Sequence, residues 1–198
     1  MTDNNYRWMP QIVVEDNKGS HEVLLMTSLL MRRKIFLEGE IDMQMANDFL
    51  RMMYYLNETK DPVDVIINSP GGMLEAGFMI IDSINLSELK VRTICAGRAM
   101  SMAALILVSG SKGERCILPN SKVIIHEPLI MSNGGGNASS IKELSDTLIE
   151  IRDKTNSFLA SKTGKTLKEI NKATTRDYCM NAREAVDFGI CDRILDSL

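Results

Sequence analysis

The first 125 residues alternate short β-branched runs with stretches of helical periodicity. The runs predict strands at residues 34–37, 63–67, 91–96, 116–118 and 123–125, the third of them stopped by Gly97. Apolar spacing predicts helices at residues 43–56, 73–84 and 102–108. This alternation is typical of right-handed βαβ crossovers, and continuous apolar runs suit strands that are buried on both faces. The pattern therefore predicts an α/β fold with a largely parallel sheet.

The two ends of the chain follow a different pattern. Residues 1–22 are polar and, apart from 9–14, predict an irregular arm with a turn at 18–20. An apolar stripe from Ile141 to Phe158, with a capping box at Ser140 and Glu143, predicts a long amphipathic helix that ends before Gly164. Further capping boxes are predicted at Thr166/Glu169 and Asn181/Glu184, and a short strand at 190–195. We expect the long helix to serve assembly.

Composition excludes several classes of protein. The 198 residues are 44% hydrophobic and 25% charged, which predicts one soluble globular domain. A net charge of −3 argues against a nucleic-acid binder. No apolar run approaches the roughly 18 residues of a membrane span, and the polar start lacks the apolar segment of a signal peptide. We therefore expect a cytoplasmic protein that uses neither nucleic acid nor membrane as a partner.

Cysteine and histidine content argues against a metal site. The four cysteines form no CxxC pair and are expected to be reduced core thiols: Cys95, Cys116, Cys179 and Cys191. With only two histidines, His21 and His126, a His-rich zinc site is excluded. We expect no metal and no cofactor.

Ser101 lies where a predicted buried strand meets a predicted buried helix. The first backbone N–H groups of a helix are unpaired and carry partial positive charge, so they suit an oxyanion next to an attacking serine. The alternative is that Ser101 only caps the helix. The segment does not fit G-x-S-x-G, so a nucleophile elbow of that kind is not supported.

His126 ends the last strand of the alternating region, where sites assemble in α/β sheets. It is the candidate base, because His21 lies in the polar arm; a half-buried structural histidine is the alternative. A carboxylate would have to orient the imidazole. Asp177, between two capped helices, is one candidate among several, the others being Asp82, Asp146, Asp153, Asp187 and Asp192.

A glycine turn also follows a strand and opens a helix, at Ser69-Pro70-Gly71-Gly72. Glycine permits close backbone approach, so an N–H group here can point into a cleft. The turn can equally be a tight βα connection. It is not a phosphate-binding P-loop, because no Gly-Lys-Ser/Thr follows.

An ordered set of motifs resembles the proteolytic subunit of the Clp protease. The motifs are 33–41 (RKIFLEGEI), 68–72 (NSPGG), 97–102 (GRAMSM), 118–128 (LPNSKVIIHEP), 163–167 (TGKTL), 175–177 (TRD) and 184–189 (EAVDFG). One of these alone would be weak evidence, but together they span nearly the whole chain in order. The spacing from Ser101 to His126 fits the family. Asp177 lies slightly further along than usual, which fits an insertion at 134–136.

The resemblance implies a fold, a site and an activity. The fold would be crotonase-like, with stacked βαβ units and a projecting strand–helix handle at about 129–162, in a peptidase domain of residues 23–198 that follows an N-terminal arm or axial loop at 1–22. Ser101 would be the nucleophile, His126 the base and Asp177 the orienting acid. Backbone N–H groups of Gly72 and Met102 would form the oxyanion hole.

The implied activity is that of a serine endopeptidase chamber that hydrolyses unfolded polypeptides delivered by an AAA+ Clp ATPase. The implied assembly is a homo-oligomer of two stacked heptameric rings, alone or with a second proteolytic subunit. The alternative is a weakly active or regulatory subunit that assembles with an active paralogue. A crotonase-type acyl-CoA enzyme would need a CoA pocket, for which the sequence gives no sign.

Several positions depart from the family pattern. Ala103 replaces a usual glycine, Glu127 a usual glutamine, and Ala173 and Thr175 stand where acidic residues often contribute to the contact between rings. Residues 129–133 replace a start of the handle that usually carries glycine and tyrosine. Asp64 occupies a position that is often aromatic in the pocket for the ATPase, next to residues 52–54, so we expect weak docking of a generic ATPase. The alternative is that Asp64 points to solvent.

Overall fold

A seven-stranded, mostly parallel sheet organises the protein. The computed structural model describes residues 10–17, 19–129 and 136–197. The strands are β1 Gln11–Asp16, β2 Gly19–Leu24, β3 Lys34–Glu38, β4 Val63–Ser69, β5 Val91–Met100, β6 Arg115–Ile117, β7 Lys122–Ile125, β8 Tyr178–Asn181 and β9 Arg193–Ile194. The helices are α1 Leu25–Met31, α2 Met43–Leu56, α3 Leu74–Asn85, α4 Met102–Val108, α5 Ala138–Thr163, α6 Leu167–Thr174 and α7 Ala182–Phe188.

The strand order confirms the predicted parallel sheet. Strands β3, β4, β5, β6 and β9 are neighbours in that order and all run parallel. Strand β7 pairs in parallel with β5, and β8 adds to β7 as the antiparallel member of the sheet. Helix α4, in which every side chain is buried, packs against β5, α3 and α5 in the hydrophobic core. The C-terminal end of β5 thus leads directly into a buried helix.

Strand β5 does not stop at Gly97, contrary to the prediction. Its residues 93–95 pair with β6, whereas residues 98–100 pair with β7. Gly97 has a φ of 100°, and a Cβ there would lie 2.9 Å from the Asn68 Oδ1 atom. The pairing with β4 shifts register at this point. The glycine therefore lets one strand change its neighbour, and β5 continues as far as the residue before Ser101.

The N-terminal region is more regular than predicted. Strands β1 and β2 pair as an antiparallel hairpin from Gln11↔Leu24 to Asp16↔Gly19, so residues 19–22 form a strand rather than an irregular arm. Helix α1 follows directly and was not predicted. Most side chains of β2 are exposed, and this is why no apolar alternation marks the strand in the sequence. Residues 1–9, which include part of the predicted arm, lie outside the described residues.

Helix α5 is longer than its apolar stripe predicted. Its N-cap is Asn137, whose Oδ1 atom accepts a hydrogen bond from Ser140 N at 3.0 Å, so the predicted cap at Ser140 is wrong. The predicted end before Gly164 is confirmed. Residues 138–147 are exposed, whereas Thr155 and Leu159 are buried. The predicted segment before the helix, residues 130–135, lies outside the described residues.

Most smaller predictions are confirmed. Both capping boxes, at Thr166/Glu169 and at Asn181/Glu184, are present. The last strand is limited to Arg193–Ile194. Cys95, Cys116 and Cys191 are buried free thiols, but Cys179 is exposed, which corrects the prediction of four core cysteines. Burial raises the pKa of the Cys95 thiol to about 12. Among the helices of the described ranges, none has both the length and the hydropathy to cross a membrane.

Candidate active site

Ser101 lies between β5 and α4 in an unusual backbone conformation. Its φ of 53° and ψ of −123° are strained for a residue with a Cβ. Its N–H group donates to the Ile124 carbonyl at 2.8 Å, which ties it to β7. Its side chain makes no capping hydrogen bond, so the alternative that Ser101 serves only as a helix cap is wrong. The Ser101 hydroxyl is therefore not occupied by a bond to the helix end.

The glycine turn lies directly against Ser101. Gly71 N donates to Ser69 Oγ at 3.0 Å, and Gly71 has a φ of 97°. A Cβ on Gly71 would lie 2.8 Å from the Ser101 Cβ and 3.1 Å from Met102 N. Any larger residue would therefore push the turn away from the start of α4.

Gly72 is held on the opposite side of the turn by the segment before α2. Ile41 N donates to Gly71 O and Met73 N donates to Ile41 O, both at 2.8 Å. A Cβ on Gly72 would collide with the Ile41 backbone. The backbone bonds of the described residues include none from the N–H of Gly72 or of Met102. Two N–H donors therefore lie on the two segments that meet at Ser101.

His126 shares a small cavity with Ser101. The cavity has a volume of about 30 Å³ and is lined by Leu74, Ser101, Met102, Leu105, Ile125, His126, Pro128, Thr155, Asn156 and Leu159. The imidazole is half-buried and directly follows β7. Its place next to the serine is fixed by the parallel pairing of β5 with β7, in which Met100 is opposite Ile124. The structure thus brings together the predicted nucleophile and the predicted base.

Asp177 lies outside that cavity, although its backbone is close to the histidine. It is exposed and lines a separate cavity with residues of α6, β8 and α7. In the antiparallel pair of β7 and β8, Ile125 is opposite Tyr178. Continuing this register by one residue puts His126 opposite Asp177, and directly opposed residues have Cα atoms about 4.5–5.5 Å apart. Among the described residues, no hydrogen bond joins Asp177 to His126, or His126 to Ser101.

The competing carboxylates are placed elsewhere. Asp192 accepts hydrogen bonds from Arg115, and Asp153 accepts from Arg152. Burial acts to raise the pKa of Asp192, but the hydrogen bonds from Arg115 outweigh it and hold that pKa below its usual value. The other candidates lie on exposed positions of helices: Asp82, Asp146 and Asp187. None of the five, all within the described ranges, lines the cavity of Ser101 and His126.

Helix α5 also contributes to the site, which the sequence did not predict. Thr155, Asn156 and Leu159 line the cavity from this helix. Asn156 is 1% exposed, and its Nδ2 atom donates to Asn171 Oδ1 at 2.8 Å and to Thr174 Oγ1 at 3.1 Å. The apolar stripe included Thr155, but an asparagine in a polar helix gives no signal of burial. Only the packing of α5 on α4 and α6 exposes its role.

Comparison with known families identifies the family of the chain but not its site residues. A family model described as Clp protease matches residues 17–197. The chain belongs to the Clp protease family. The match confirms the resemblance inferred from the motifs, and the family implies serine-peptidase activity and oligomeric assembly with Clp ATPases.

Three of the positions at which this Clp protease chain was described as departing from the family pattern lie near the site. Ala103 is fully buried in α4, in contact with the core. Glu127 N donates to Thr174 O at 2.9 Å, so the residue after His126 is tied to the end of α6. Thr175 caps that end by donating from Oγ1 to Asn171 O at 2.8 Å.

Asp64 is neither unpaired nor directed into solvent. Its carboxylate accepts two hydrogen bonds from Arg92, at 2.8 and 2.7 Å, and lies 3.5 Å from Lys34 Nζ. The three residues face one another across β3, β4 and β5 in register. The hydrogen bonds with Asp64 raise the pKa of Arg92. Part of the face on which docking was predicted is therefore a row of paired charges, and the alternative of a solvated Asp64 is wrong.

Proposed function

We propose that this Clp protease family member is a serine endopeptidase in which Ser101, His126 and Asp177 form the catalytic triad. The observation that carries the proposal is the strained backbone of Ser101. Its hydroxyl makes no capping bond to the helix, and the residue lines the same cavity as His126. Residues held in such conformations cluster at functional sites, where the surrounding structure imposes the strained geometry. A purely structural serine at a helix start would cap the helix.

Peptide hydrolysis would proceed through an acyl-enzyme. The Ser101 Oγ atom attacks the carbonyl carbon of the peptide while His126 takes its proton. The N–H groups of Gly72 and Met102 stabilise the negative oxygen of the tetrahedral intermediate. When the C–N bond breaks, His126 gives the proton to the leaving amine, and water then hydrolyses the ester by the same route. Asp177 keeps the imidazole in the correct tautomer.

The narrow cavity at Ser101 is where we place a side chain of the substrate. Its walls are mainly apolar, with Leu74, Met102, Leu105 and Leu159 around the serine. A volume of about 30 Å³ leaves room for about one water molecule, so a bulky side chain enters only if the walls yield. We infer that the first specificity contact of the peptide is made here.

The larger assembly follows the family. We propose a crotonase-like subunit that forms two stacked heptameric rings through α5, and that works with an AAA+ Clp ATPase on unfolded polypeptides in the cytoplasm. Support for a contact through α5 comes from the exposed apolar residues at its N-terminal end, where Ile141 is 56% and Leu144 37% exposed. A lone chain would leave these side chains in water.

A serine-directed fluorophosphonate probe tests the proposal. The assembled protein should be labelled at Ser101 and should hydrolyse short peptides, and Ser101→Ala should lose both properties without loss of mass under native conditions. Ser83→Ala is the matched control, because the Ser83 hydroxyl is bound to Met79 O within α3 and should not react. Absence of labelling in assembled protein would refute the proposal and favour a regulatory subunit that supports an active paralogue.

A further inference from the structure

Asn156 is a buried amide whose hydrogen bonds join two helices. It lies in the second half of α5 and donates to Asn171 and Thr174 of α6. The orientation of the amide is settled by Thr174, whose hydroxyl donates to Ile170 O at 3.0 Å and therefore has to accept from Asn156. The amide nitrogen thus faces α6. A buried group with this geometry specifies one relative position of the two helices.

Thr174 continues the connection to the histidine segment. It is fully buried at the end of α6, and its carbonyl accepts the hydrogen bond from Glu127 N. Glu127 directly follows His126, and Thr174 precedes Asp177 by three residues. One residue therefore contacts both of the chain segments that carry the base and its carboxylate.

These contacts bracket both catalytic side chains. His126 lies between Ile125, fixed in β7, and Glu127, fixed on Thr174. Asp177 lies between Thr174 and Tyr178, which is fixed opposite Ile125 in β8. The segments that carry His126 and Asp177 are therefore joined at two places, by the β7–β8 pairing and by the hydrogen bond from Glu127 N to Thr174 O. If the second is loosened, His126 and Asp177 can slide relative to each other.

We propose that Asn156 is a positioning residue that, through Thr174, holds His126 and Asp177 in register. This inference rests on the proposed triad. Asn156 touches no reacting atom in this role, and its effect passes through the Thr174 carbonyl to the backbone next to the base. The buried half of α5 thereby helps to position the catalytic groups.

The test compares peptide hydrolysis by variants of the full-length protein, isolated as particles of native mass. Thr174→Val keeps the shape of the side chain and removes the acceptor, and Asn156→Leu removes the donors. We expect each to lower kcat by up to about 100-fold, the cost of small misplacements of catalytic groups, with KM nearly unchanged. Thr174→Ser keeps the hydroxyl and should restore most of the rate. The double variant should lose little more than either single variant, because both remove the same connection.

Thr163→Val is the matched control in the same helix. The Thr163 hydroxyl donates to Leu159 O of its own helix and accepts from Lys165 N just after it, so its loss affects the end of α5 without removing a bond of Asn156, Thr174 or Glu127. We expect its kcat to stay within about twofold of the unaltered protein, the effect of a residue outside the network.

Three outcomes would overturn the inference. If hydrolysis requires Ser101 but assembled Thr174→Val has an unchanged kcat, the positioning role is overturned while the proposed function stands. A rise in KM for Asn156→Leu, with Thr174→Val unchanged, would mean that Asn156 acts by direct contact with the substrate in the cavity that it lines, since Thr174 does not line that cavity. If the unaltered protein shows no hydrolysis that depends on Ser101, the proposed function fails and the inference fails with it. Should Asn156→Leu not assemble, Thr174→Val and Thr174→Ser decide the question.

Discussion

Ser101 combines a side chain suited to chemistry with a backbone conformation suited to glycine. Its φ of 53° costs energy for any residue with a Cβ, of order 1–3 kcal/mol. The sequence cannot reveal this strain, because the segment does not match the common nucleophile motif. The Ile124 carbonyl and the buried α4 hold the residue in place from both sides. The proposed catalytic role of Ser101 therefore comes at a cost in stability.

Ser101→Gly should be more stable than Ser101→Ala. Both lack the hydroxyl, but only glycine relieves the backbone strain, so we expect a free energy of unfolding higher by about 1 kcal/mol for the glycine variant. Chemical denaturation of the two inactive proteins measures the difference. Equal stabilities would mean that the surrounding structure, rather than the serine, sets the energy of this conformation.

Asp177→Asn should slow peptide hydrolysis severely while leaving the fold intact. The amide holds the imidazole in the wrong tautomer, and loss of this kind of carboxylate costs about 10⁴-fold in kcat. Since Asp177 is exposed, the substitution should change the melting temperature little. Steady-state kinetics with a short peptide give the answer, with Asp187→Asn on the exposed face of α7 as the control. Near-normal activity would assign the orienting role to another carboxylate.

At the scale of elements, periodicity and capping predicted most of the structure. Helices α2 and α4 have the predicted bounds, because their apolar residues face one continuous core. The β1–β2 hairpin was missed because its side chains are largely exposed, and α1 was missed because it has only seven residues. The end of β5 was missed because a glycine in the sequence usually indicates the end of a strand. In the sheet, Gly97 instead allows β5 to change its partner from β6 to β7.

The site was predictable to a similar degree. Ser101 and His126 follow predicted strands, and parallel strands bring their C-terminal ends to one edge, so their proximity could be foreseen. The proximity of Asp177 to His126 depends on the antiparallel pairing of β8 with β7. These segments are far apart in the sequence, so no local pattern predicts their contact. Asn156 is of the same kind, since its burial depends on how α5 packs.

Arg115 joins β6 to α5 and to the connection between α7 and β9, and its loss should reduce stability in a manner that depends on pH. It donates to Asp192 from Nε at 2.9 Å and to the carbonyls of Lys162 and Gly189 at 2.9 and 3.0 Å. Because the folded protein lowers the pKa of Asp192, the pair stabilises the fold at neutral pH, and this contribution disappears as the pH falls below the usual value of 3.8. Arg115→Leu should therefore cost about 3–5 kcal/mol near pH 7 and less in acid.

Denaturation curves across pH test this prediction. Arg152→Leu is the matched control, because Arg152 pairs with the exposed Asp153 on the surface of α5 and should cost less than about 1 kcal/mol. A loss for Arg115→Leu that is independent of pH would assign its stabilising effect to the two carbonyl contacts instead of the carboxylate.

At the scale of the whole molecule, the exposed half of α5 should control assembly. Ile141 and Leu144 are solvent-exposed apolar side chains one turn apart, as expected for a surface that another subunit covers. Replacing both with lysine should give smaller particles with unchanged subunit fold, because buried charges oppose the contact. Sedimentation and circular dichroism check the two parts. Lys142→Glu on the same turn is the control, and particles of unaltered mass would place the contact elsewhere.

Docking of the ATPase should depend on the charge row of Lys34, Asp64 and Arg92. An apolar loop of a generic Clp ATPase gains little on paired charges, which lose their hydration when covered, so we expect slow degradation of an unfolded tagged protein. A partner with complementary charges should dock better and show stronger salt dependence. Efficient degradation with the generic ATPase, unchanged by Asp64→Tyr, would contradict this expectation.

Strand β8 has one neighbour among the described strands, and this has a consequence for how activity is lost on heating. An edge strand of four residues separates from its sheet at a lower free energy than the buried strands, so amide hydrogens of β8 should exchange with solvent earlier than those of β5. Ser101 and His126 are carried by the β5–β7 pair, which would stay closed in such an opening. Peptidase activity should therefore fade several degrees below the melting temperature and return on cooling. The protein would thus have a reversible inactive state in which only β8 has separated from the sheet.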